Sequence, residues 1–308
     1  MKTTVFDEDL KRIQSSINRV APDCICQSIE RMGGLTNRTY KVTTNQGKAY
    51  VVRIPGEGTE SMICRNHERV STSLACGLGI DTPLLFWGGG QKGEEGVKVT
   101  EYIADAVTLD KARMKTEDTI RDIAAVLKKL HSCGTDTGIP FEVFEMADTY
   151  EKVIRTHEVE MYPDYAEIRK RIMQIKNQVE SAETIHVVPC HNDPLPENWV
   201  YGRDRLYLID WEYAGMNDSM WDLADVSIEG EYNKEQDLYF LISYFGREPS
   251  QTEKMRFMAN KLYVDYLWTL WGKARVPFDG EEMENYALER YKRLKKNLES
   301  FEQVSGFH

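Results

Sequence analysis

Short alternating stretches of apolar and polar residues run through the first hundred residues of the chain. Alternation with a period of two is typical of a strand that buries one face, and glycine- and asparagine-rich segments between the stretches predict antiparallel hairpins. The predicted strands are residues 27–32, 38–44, 49–54, 84–87 and 97–103. Between the third and the fourth strand, residues 61–78 lack proline and carry apolar side chains at helical spacings up to Gly79, so we expect a helix there.

The period of the pattern changes from about residue 115 onward. Thr116 precedes an apolar stripe with the i, i+3, i+4, i+7 spacing of an amphipathic helix, formed by Ile120, Ile123, Ala124, Leu127 and Leu130. The rest of the sequence is mainly helical in pattern and is interrupted by strand signals at residues 185–188, 199–201 and 206–209. The last two strands flank a turn at residues 202–204, which predicts a hairpin.

These elements predict an α+β fold with two lobes. We expect a small antiparallel-sheet lobe at residues 1–102 and a larger, mainly helical lobe at residues 103–308, joined by a short hinge near residues 101–105. A cleft between two lobes is a common place for a ligand, so the functional residues are expected near the hinge.

Charge and composition narrow the range of functions. The chain carries 39 Lys and Arg against 50 Asp and Glu, a net charge of −11, which disfavours nucleic acid as a partner because phosphates are bound mainly by cationic side chains. With 41% hydrophobic residues the chain can form a large core. No run of about 18 apolar residues predicts a membrane helix, and the acidic first ten residues differ from a secretory signal. We therefore expect a cytoplasmic protein, whose oligomeric state the sequence leaves open.

The six cysteines contain no CxxC pair, and the nearest approach to a motif is Cys24-Ile-Cys26. Metal sites and redox pairs usually show such local spacing, and disulfides are uncommon in cytoplasmic proteins. Free buried thiols are therefore the favoured interpretation.

The strongest functional signal is the string His191-Asn-Asp193-Pro-Leu-Pro-Glu-Asn198, followed by Leu208-Ile-Asp210-Trp-Glu212. Transfer of the γ-phosphoryl group of ATP needs a carboxylate that holds the attacking hydroxyl and oxygen ligands for Mg²⁺. Asp193 suits the first task. Asn198 and Asp210 suit the second, because an amide oxygen and a carboxylate are ligands that Mg²⁺ prefers and the predicted hairpin brings these two residues close together. Each aspartate alone could cap a turn or a helix, but the combination favours catalysis. His191 is expected to brace the loop.

This combination resembles the choline and ethanolamine kinases, within the larger group of aminoglycoside phosphotransferases and protein kinases. The loop of that family typically reads H-N-D-L-x-P-E-N and is followed by I-D-[FW]-E-Y, similar to residues 191–198 and 209–213 here. The resemblance implies a two-lobed protein-kinase-like fold, Asp193 as the catalytic base, and Asn198 and Asp210 as Mg²⁺ ligands. Pro194 departs from the usual leucine and stiffens the loop.

By the same resemblance, the first lobe would bind ATP. Gly33, Gly34, Thr36 and Asn37 look like the loop that folds over the phosphates, although a glycine pair between strands is usually only a turn. Arg53 takes the strand position of the phosphate-binding cation, and Glu68 would pair with it; alternatively, both are solvated surface charges. Glu101 and Ile103 would lie in the hinge whose backbone contacts adenine.

The acceptor site is predicted in the second lobe. Trp268 and Trp271 lie at i and i+3 on one helix face, where two indoles can enclose a quaternary ammonium with about 2 kcal/mol per desolvated contact. Such a pair is more often ordinary core, but the family places a similar W-x-x-W in its choline pocket. Glu229 and Tyr232 fall where the family supplies a carboxylate and a ring to the ammonium.

Two other features of the second lobe are predicted to be structural. Asp222 and Asp225 are expected to brace the loop after Asp210 rather than contact substrate. Residues 281–302 carry charge on most faces and are expected to form a solvated helix against the lobe, with a partner-binding helix as the alternative.

The expected function is phosphorylation of the choline hydroxyl with ATP and Mg²⁺ as cofactors, giving phosphocholine and ADP. The partners would be ATP and a small cationic amine. Ethanolamine and aminoglycoside kinases are the alternatives among enzymes, and a pseudokinase that binds without catalysis is the alternative outside them. The presence of Asp193, Asn198 and Asp210 together disfavours the pseudokinase.

Overall fold

The computed structural model of the chain describes residues 7–33, 37–56, 63–89 and 95–305. The chain divides into two compact units. The first unit comprises Met1–Leu109 and Glu197–Ala214, and the second comprises Asp110–Pro196 and Gly215–His308. Each unit is therefore built from two separate segments of the sequence.

The strands and the two helices that the hydrophobic pattern predicts are present, whereas the helix Asp7–Val20 and the strands Val107–Thr108 and Gly215–Asp218 were not predicted. The strands are β1 (Cys26–Gly33), β2 (Asn37–Thr44), β3 (Ala49–Pro55), β4 (Leu84–Trp87), β5 (Lys98–Glu101), β6 (Val107–Thr108), β7 (Val187–Cys190), β8 (Trp199–Tyr201), β9 (Leu206–Leu208) and β10 (Gly215–Asp218). The helices are α1 (Asp7–Val20), α2 (Arg65–Gly77), α3 (Lys111–Met114), α4 (Glu117–His131), α5 (Val143–Thr156), α6 (Tyr165–Ala182), α7 (Ser219–Glu229), α8 (Lys234–Phe245), α9 (Gln251–Asp279) and α10 (Glu281–Ser305).

An antiparallel sheet with the strand order β1-β2-β3-β5-β4 forms the main part of the first unit. Successive residues of a strand point to opposite faces of the sheet, and residues paired across neighbouring strands point to the same face. Tyr40 of β2 pairs with Val52 of β3, which pairs with Val99 of β5, so these three side chains form one buried row. Ile13 and Ile17 of α1 belong to the same core and are fully buried. The predicted hairpins and the predicted helix before Gly79 are confirmed.

A second, three-stranded sheet of the first unit has the order β6-β8-β9. Its β8–β9 hairpin is the one that the sequence predicts, with Trp199 opposite Leu208. Because β6 pairs with β8, residues 103–109 and 197–214 belong to the first unit in space. The predicted division into functional lobes at residues 102 and 103 stays a prediction, and the compact units differ from it in these two segments.

Helices form most of the second unit, together with the antiparallel pair β7–β10. The predicted stripe of α4 is buried, and the Thr116 hydroxyl caps that helix by accepting a hydrogen bond from the Thr119 N–H at 3.4 Å. Helix α9 packs against α5, α7 and α10. Helix α10 buries a stripe at the spacings 4, 3, 4 and 3, formed by Ala287, Tyr291, Leu294, Leu298 and Phe301. It therefore lies against the rest of the unit, as the sequence predicts.

All six cysteines are free, as expected; Cys24 and Cys190 are buried, whereas Cys64 is exposed, so the expected burial holds only for part of the set. Within the described ranges, none of the helices combines the length and the apolar composition that a membrane crossing needs.

Helix α1 is tied to the sheet of the first unit by a buried carboxylate. Asp9 accepts hydrogen bonds from Arg38 Nε at 2.8 Å and from the Tyr40 hydroxyl at 2.5 Å. Burial raises the pKa of Asp9, but the Arg38 and Tyr40 hydrogen bonds and the Arg38 charge outweigh burial and hold that pKa below its ordinary value. The ionised carboxylate therefore stabilises the folded state.

We expect Asp9→Asn to lower the free energy of unfolding by about 1–3 kcal/mol at pH 7, because hydrogen bonds to a charged group are lost. A depressed pKa stabilises the fold above the ordinary Asp pKa of about 3.9, and this contribution disappears as the pH falls. Urea unfolding of both proteins at pH 7 and pH 3 should therefore show a difference that shrinks at low pH. Glu8→Gln, at an exposed neighbour, is the control; an equal loss in that variant would contradict the prediction.

Candidate active site

A cavity of about 460 Å³ lies in the first unit, between the main sheet and the β8–β9 hairpin. Its walls come from β2, β3 and β5, from the segment that follows β5, and from the ends of the hairpin. Predicted site residues line it together: Arg53, Glu101, Ile103, Asn198 and Asp210. The structure thus gathers residues of the first unit that are up to 157 positions apart in the sequence.

The β8–β9 hairpin brings Asn198 and Asp210 side by side. The Ile209 N–H donates to the Asn198 carbonyl oxygen at 3.0 Å, directly before Asp210. Asp210 has a φ of 69°, in the left-handed region, and its side chain is 36% exposed. An amide oxygen and a carboxylate that face one cavity are hard oxygen donors of the kind that Mg²⁺ prefers, so the two residues fit the predicted metal site.

Arg53 lies at the centre of a buried ion-pair network beside the cavity. Its guanidinium contacts Glu68, and its Nη1 donates to Asp210 Oδ1 at 2.8 Å. Glu68 is fully buried and also faces Arg65 Nη1 at 2.9 Å and Lys98 Nζ at 3.4 Å. Burial raises the pKa of Glu68, but these three cations lower it below its ordinary value. The predicted pairing of Arg53 with Glu68 is present, and neither residue is a solvated surface charge.

Only part of the predicted phosphate loop is described. Gly34 and Thr36 lie outside the described residues, whereas the backbone of Gly33 ends β1 opposite Thr39. Asn37 begins β2, is buried, and donates from Nδ2 to Glu212 Oε2 at 2.9 Å. This bond connects the end of the glycine segment to the motif that follows Asp210.

Asp81 is a cavity residue that the sequence analysis missed. It lies between α2 and β4, lines the same cavity as Arg53 and Asp210, and is 3% exposed. Burial raises the pKa of Asp81 to about 6, and the Lys98 charge counteracts part of that rise. An aspartate after a helix end looks like an ordinary turn residue in the sequence, so its burial could not be foreseen.

In the second unit, one buried carboxylate holds the loop that carries Asp193. Asp222 accepts hydrogen bonds from the backbone N–H groups of His191 at 2.8 Å and of Asn192 at 2.7 Å. His131 Nε2 lies 3.0 Å from the same carboxylate. The expectation that Asp222 braces the loop after Asp210 is therefore wrong: it braces the loop before Asp193, because β7 ends next to α7 in this unit.

Further hydrogen bonds hold the same loop. Asn192 adopts a φ of 67°, which asparagine tolerates better than most residues. Its carbonyl oxygen accepts from Trp221 Nε1 at 3.0 Å, and its side-chain oxygen accepts from Asn217 Nδ2 at 2.9 Å. The buried His191 accepts the Asp193 N–H at its Nδ1 at 3.3 Å, in agreement with the expected bracing role. The backbone around Asp193 is thus held from several sides.

An aromatic cluster of the second unit contains the predicted tryptophan pair. The rings of Trp268 and Trp271 are 6.1 Å apart at 88°, and Tyr286 of α10 stands 5.6 Å from Trp271 at 73°. Burial raises the pKa of Tyr286; Arg290 lowers it, and the negative charges of Glu229, Asp193 and Asp225 raise it further. The charge of the predicted base Asp193 therefore contributes to the electrostatic environment of Tyr286.

Tyr286 was missed by the sequence analysis, which treated α10 as a solvated helix. The signal in the sequence that could have pointed to Tyr286 was the apolar stripe of α10 that begins at Ala287, because this stripe places Tyr286 beside the buried face of the helix. Sequence alone does not show which residue of α9 that face meets. The ring was therefore recognisable as part of an amphipathic helix but not as a neighbour of Trp271.

Glu229 and Tyr232 both have partners within the second unit. Glu229 Oε1 lies 3.0 Å from Arg290 Nη2 and 3.1 Å from Arg293 Nη2. The Tyr232 hydroxyl donates to the Met114 carbonyl oxygen at 2.9 Å, and its ring stands edge-on to a phenylalanine of α8 at 5.7 Å. Their predicted roles in substrate binding stay predictions.

Comparison with known proteins identifies the family. A sequence model described as choline/ethanolamine kinase matches residues 29–300. Protein LicA of Haemophilus influenzae is 29% identical over 276 residues, which cover 87% of this chain and 79% of that protein. The crystal structure of choline kinase LicA from Streptococcus pneumoniae has a TM-score of 0.77 and 31% identity, covering 95% of this chain and 98% of that chain. A structure of LicA in complex with AMP has the same TM-score and identity, with coverages of 94% and 98%. The chain therefore has the expected protein-kinase-like fold and belongs to the choline/ethanolamine kinase family of phosphotransferases.

Proposed function

We propose that this protein transfers the γ-phosphoryl group of ATP to the hydroxyl of choline, giving phosphocholine and ADP. Family membership supports a kinase, and the relatives called LicA support choline over other acceptors. The observation that carries the choice of substrate is the aromatic cluster of Trp268, Trp271 and Tyr286. Ethanolamine is the close alternative acceptor.

The cavity of the first unit is proposed to hold ATP. Glu101, which ends β5, and Ile103, which follows it, would place their backbone against adenine, and Arg53 would face the phosphates. Gly33, Gly34, Thr36 and Asn37 would belong to the loop that covers the phosphates, as the family resemblance implies. Glu68 would keep Arg53 oriented, because a fully buried carboxylate restricts the rotamers of the guanidinium that it contacts. We place the reaction in the cytoplasm, where cells keep their ATP.

Asn198 and Asp210 would hold Mg²⁺ through the amide oxygen and the carboxylate that line the cavity. When bound, Mg²⁺ neutralises the charge on the phosphate oxygens that develops during transfer. The chain itself contributes the alignment of these two ligands, because the hydrogen bond from Ile209 to Asn198 sets the end of the hairpin.

Asp193 would hold the choline hydroxyl and accept its proton during attack. This task requires a carboxylate whose position is defined, since most of the rate enhancement in phosphoryl transfer comes from positioning and charge neutralisation. The hydrogen bonds from the backbone of the loop to Asp222 hold the residues directly before Asp193 in place. His191, buried and hydrogen-bonded within the loop, is not needed as a second base.

The aromatic cluster favours a small quaternary ammonium over larger amines. A trimethylammonium group has no N–H to donate, so ring faces are its best partners, with up to about 2 kcal/mol per desolvated contact. Glu229 and Tyr232 remain the carboxylate and the additional ring that the family resemblance assigns to the ammonium. An aminoglycoside carries several separated cations and would require an open acidic surface. A pseudokinase would not need Asp193, Asn198 and Asp210 together.

An amine panel tests the proposal directly. Purified protein is incubated with ATP, Mg²⁺ and either choline, ethanolamine or kanamycin, and ADP release is followed. We expect the highest kcat/KM with choline and no acceptor-dependent release after chelation of Mg²⁺. A higher kcat/KM with ethanolamine or kanamycin would assign the corresponding alternative, and no release with any amine would favour a pseudokinase.

Trp271→Ala should raise the Michaelis constant for choline by roughly tenfold or more, and by less for ethanolamine, because a primary ammonium can replace ring contacts by hydrogen bonds. Initial rates over a range of each amine measure the two changes. Trp271→Phe retains a ring face and should keep most of the preference for choline. Equal increases for both amines in the alanine variant would contradict recognition of the ammonium by this ring.

Asp193→Ala should reduce turnover by about 10²–10⁴-fold, the usual contribution of a positioned acid or base, while ATP affinity stays similar. Steady-state kinetics give the turnover, and calorimetric titration gives the affinity for ATP. The control is Asp204→Ala in the exposed turn between β8 and β9, which should turn over like the wild type. Near-normal turnover of the Asp193 variant would show that another group is the base.

A further inference from the structure

The segment that follows β5 is bound to the β8–β9 hairpin within the first unit. Strand β6 pairs with β8 in antiparallel register, with Val107 opposite Tyr201. Past the end of β6, the Leu109 N–H donates to the Trp199 carbonyl oxygen at 2.9 Å. Ile103 lies in the same segment, before β6, and lines the cavity that is proposed to hold ATP. The hairpin therefore supports the part of the chain that would contact adenine.

Gly202, directly after β8, lies against Ile103 at a place where a side chain does not fit. A Cβ atom at position 202 would be 2.8 Å from Ile103 Cγ2 and 2.8 Å from Tyr207 Cε2. Carbon atoms of packed side chains are normally about 3.5–4.0 Å apart. Gly202 is not one of the residues with a positive φ. Its missing side chain is therefore required by the close approach of Ile103 and not by the conformation of the backbone.

Tyr207 of β9 fills the space on the other side of this contact. Its ring is buried, and its hydroxyl donates to Asp204 Oδ1 at 3.0 Å. The guanidinium of Arg205 covers a face of the ring, 4.5 Å from the centroid. The turn itself is closed by the Gly202 N–H, which donates to the Arg205 carbonyl oxygen at 2.9 Å. A methyl group added at position 202 would therefore displace Ile103, because Ile103 borders a cavity whereas the ring is held in place.

An ion pair joins the same turn to the segment at a second place. Arg203 Nη2 lies 2.6 Å from Asp105 Oδ2, and Arg203 Nε lies 3.1 Å from the same oxygen. Asp105 adopts a φ of 56°, where the chain turns between Ile103 and β6. Both side chains are exposed, so the pair adds little to stability. Together with the contact of Gly202, it places the turn against the segment on both sides of Ala104.

The other end of β8 carries residues that are proposed to hold Mg²⁺. Asn198 directly precedes β8, and the Ile209 N–H donates to its carbonyl oxygen at 3.0 Å, next to Asp210. Because β8 is the central strand of the sheet β6-β8-β9, both of its edges are paired. A strand rises about 3.3 Å per residue, so the four steps from Asn198 to Gly202 span about 13 Å. One paired strand thus sets the spacing between the proposed metal ligands and the contact with Ile103.

We propose that the β8–β9 turn positions the adenine-contacting segment from outside the cavity, with Gly202 as the positioning residue; this inference rests on the proposed function. The missing side chain lets the turn close against Ile103. The backbone of Ile103 is thereby held at the base, while the opposite end of β8 holds Asn198 at the phosphates. Gly202 itself is not among the residues that line the described cavity. Its replacement should therefore weaken contacts with the base and preserve those with the phosphates.

Two competitive inhibitors separate the two halves of the nucleotide. Adenosine carries the base and the ribose without phosphates, and inorganic tripolyphosphate carries phosphates without a base. Gly202→Ala should raise the inhibition constant of adenosine against ATP by about tenfold, because an extra methyl group in a packed site forces its neighbours apart. The inhibition constant of tripolyphosphate and the Michaelis constant for the amine should stay unchanged. A general loss of structure would instead weaken both inhibitors.

Gly77→Ala is the matched control, because Gly77 ends α2 and a Cβ atom there has no packing neighbour within 4 Å. It should change neither inhibition constant. Tyr207→Leu is a second test that adds no volume: it removes the ring behind the turn and should raise the adenosine constant alone, by less than Gly202→Ala. This variant decides the matter if Gly202→Ala does not fold. An unchanged adenosine constant in the folded variants, or equal weakening of both inhibitors, would overturn the proposal.

The outcomes also distinguish this inference from the proposed function. The inhibition constants are measured with whichever amine proves to be the best acceptor, so a different acceptor leaves the inference intact. If no amine is phosphorylated, the proposed function is wrong, and calorimetric titration of adenosine into the wild type and Gly202→Ala still tests the contact with the base. Equal affinities of the two proteins would then overturn the inference on its own, and absence of adenosine binding to the wild type would overturn it as well.

Discussion

The hydrogen bonds that the buried carboxylate of Asp222 accepts are the interaction on which the position of the loop before Asp193 depends. This carboxylate accepts the backbone N–H groups of two consecutive residues, His191 and Asn192, and thereby determines the path of the chain immediately before Asp193. A carboxylate can be buried at tolerable cost only where several donors compensate its lost hydration. The same bonds that stabilise Asp222 therefore hold the loop from which phosphoryl transfer would be catalysed.

Buried charge has different consequences in different parts of the molecule. In the first unit, Glu68 is surrounded by Arg53, Arg65 and Lys98, so that the cation beside the cavity is held by a compensated carboxylate. In the second unit, Glu229 is likewise compensated, whereas the carboxyl oxygens of Asp225 accept no hydrogen bond from the described residues. A compensated buried carboxylate is tolerated in the fold, and removing one partner of such a pair is strongly destabilising because the other charge is left buried and unpaired.

Much of the architecture was predictable because its causes are local. Strand alternation and turn residues predict the hairpins of the first unit, and the spacing of apolar residues with Thr116 before them predicts α4 and its capped start. The proximity of Asn198 and Asp210 was predictable for the same reason, since a short hairpin leaves its two ends adjacent. The expectation for Asp222 was wrong because sequence proximity to Asp210 says nothing about which buried donors a helix side chain meets.

The sequence by itself determined the strands of the main sheet, the helices α2 and α4, the β8–β9 hairpin, the kinase motif and the residue types able to bind ATP, Mg²⁺ and an amine. These properties depend on spacing along one strand, one helix or one turn, where chain geometry relates position directly to orientation. Only the tertiary structure decided that Glu68 is buried against three cations, that Tyr286 stands against Trp271, and that the buried Asp225 accepts no hydrogen bond from the described residues. Burial and pairing of charges depend on contacts between distant segments, and the free energy of a charge is set by those neighbours rather than by its place in the chain.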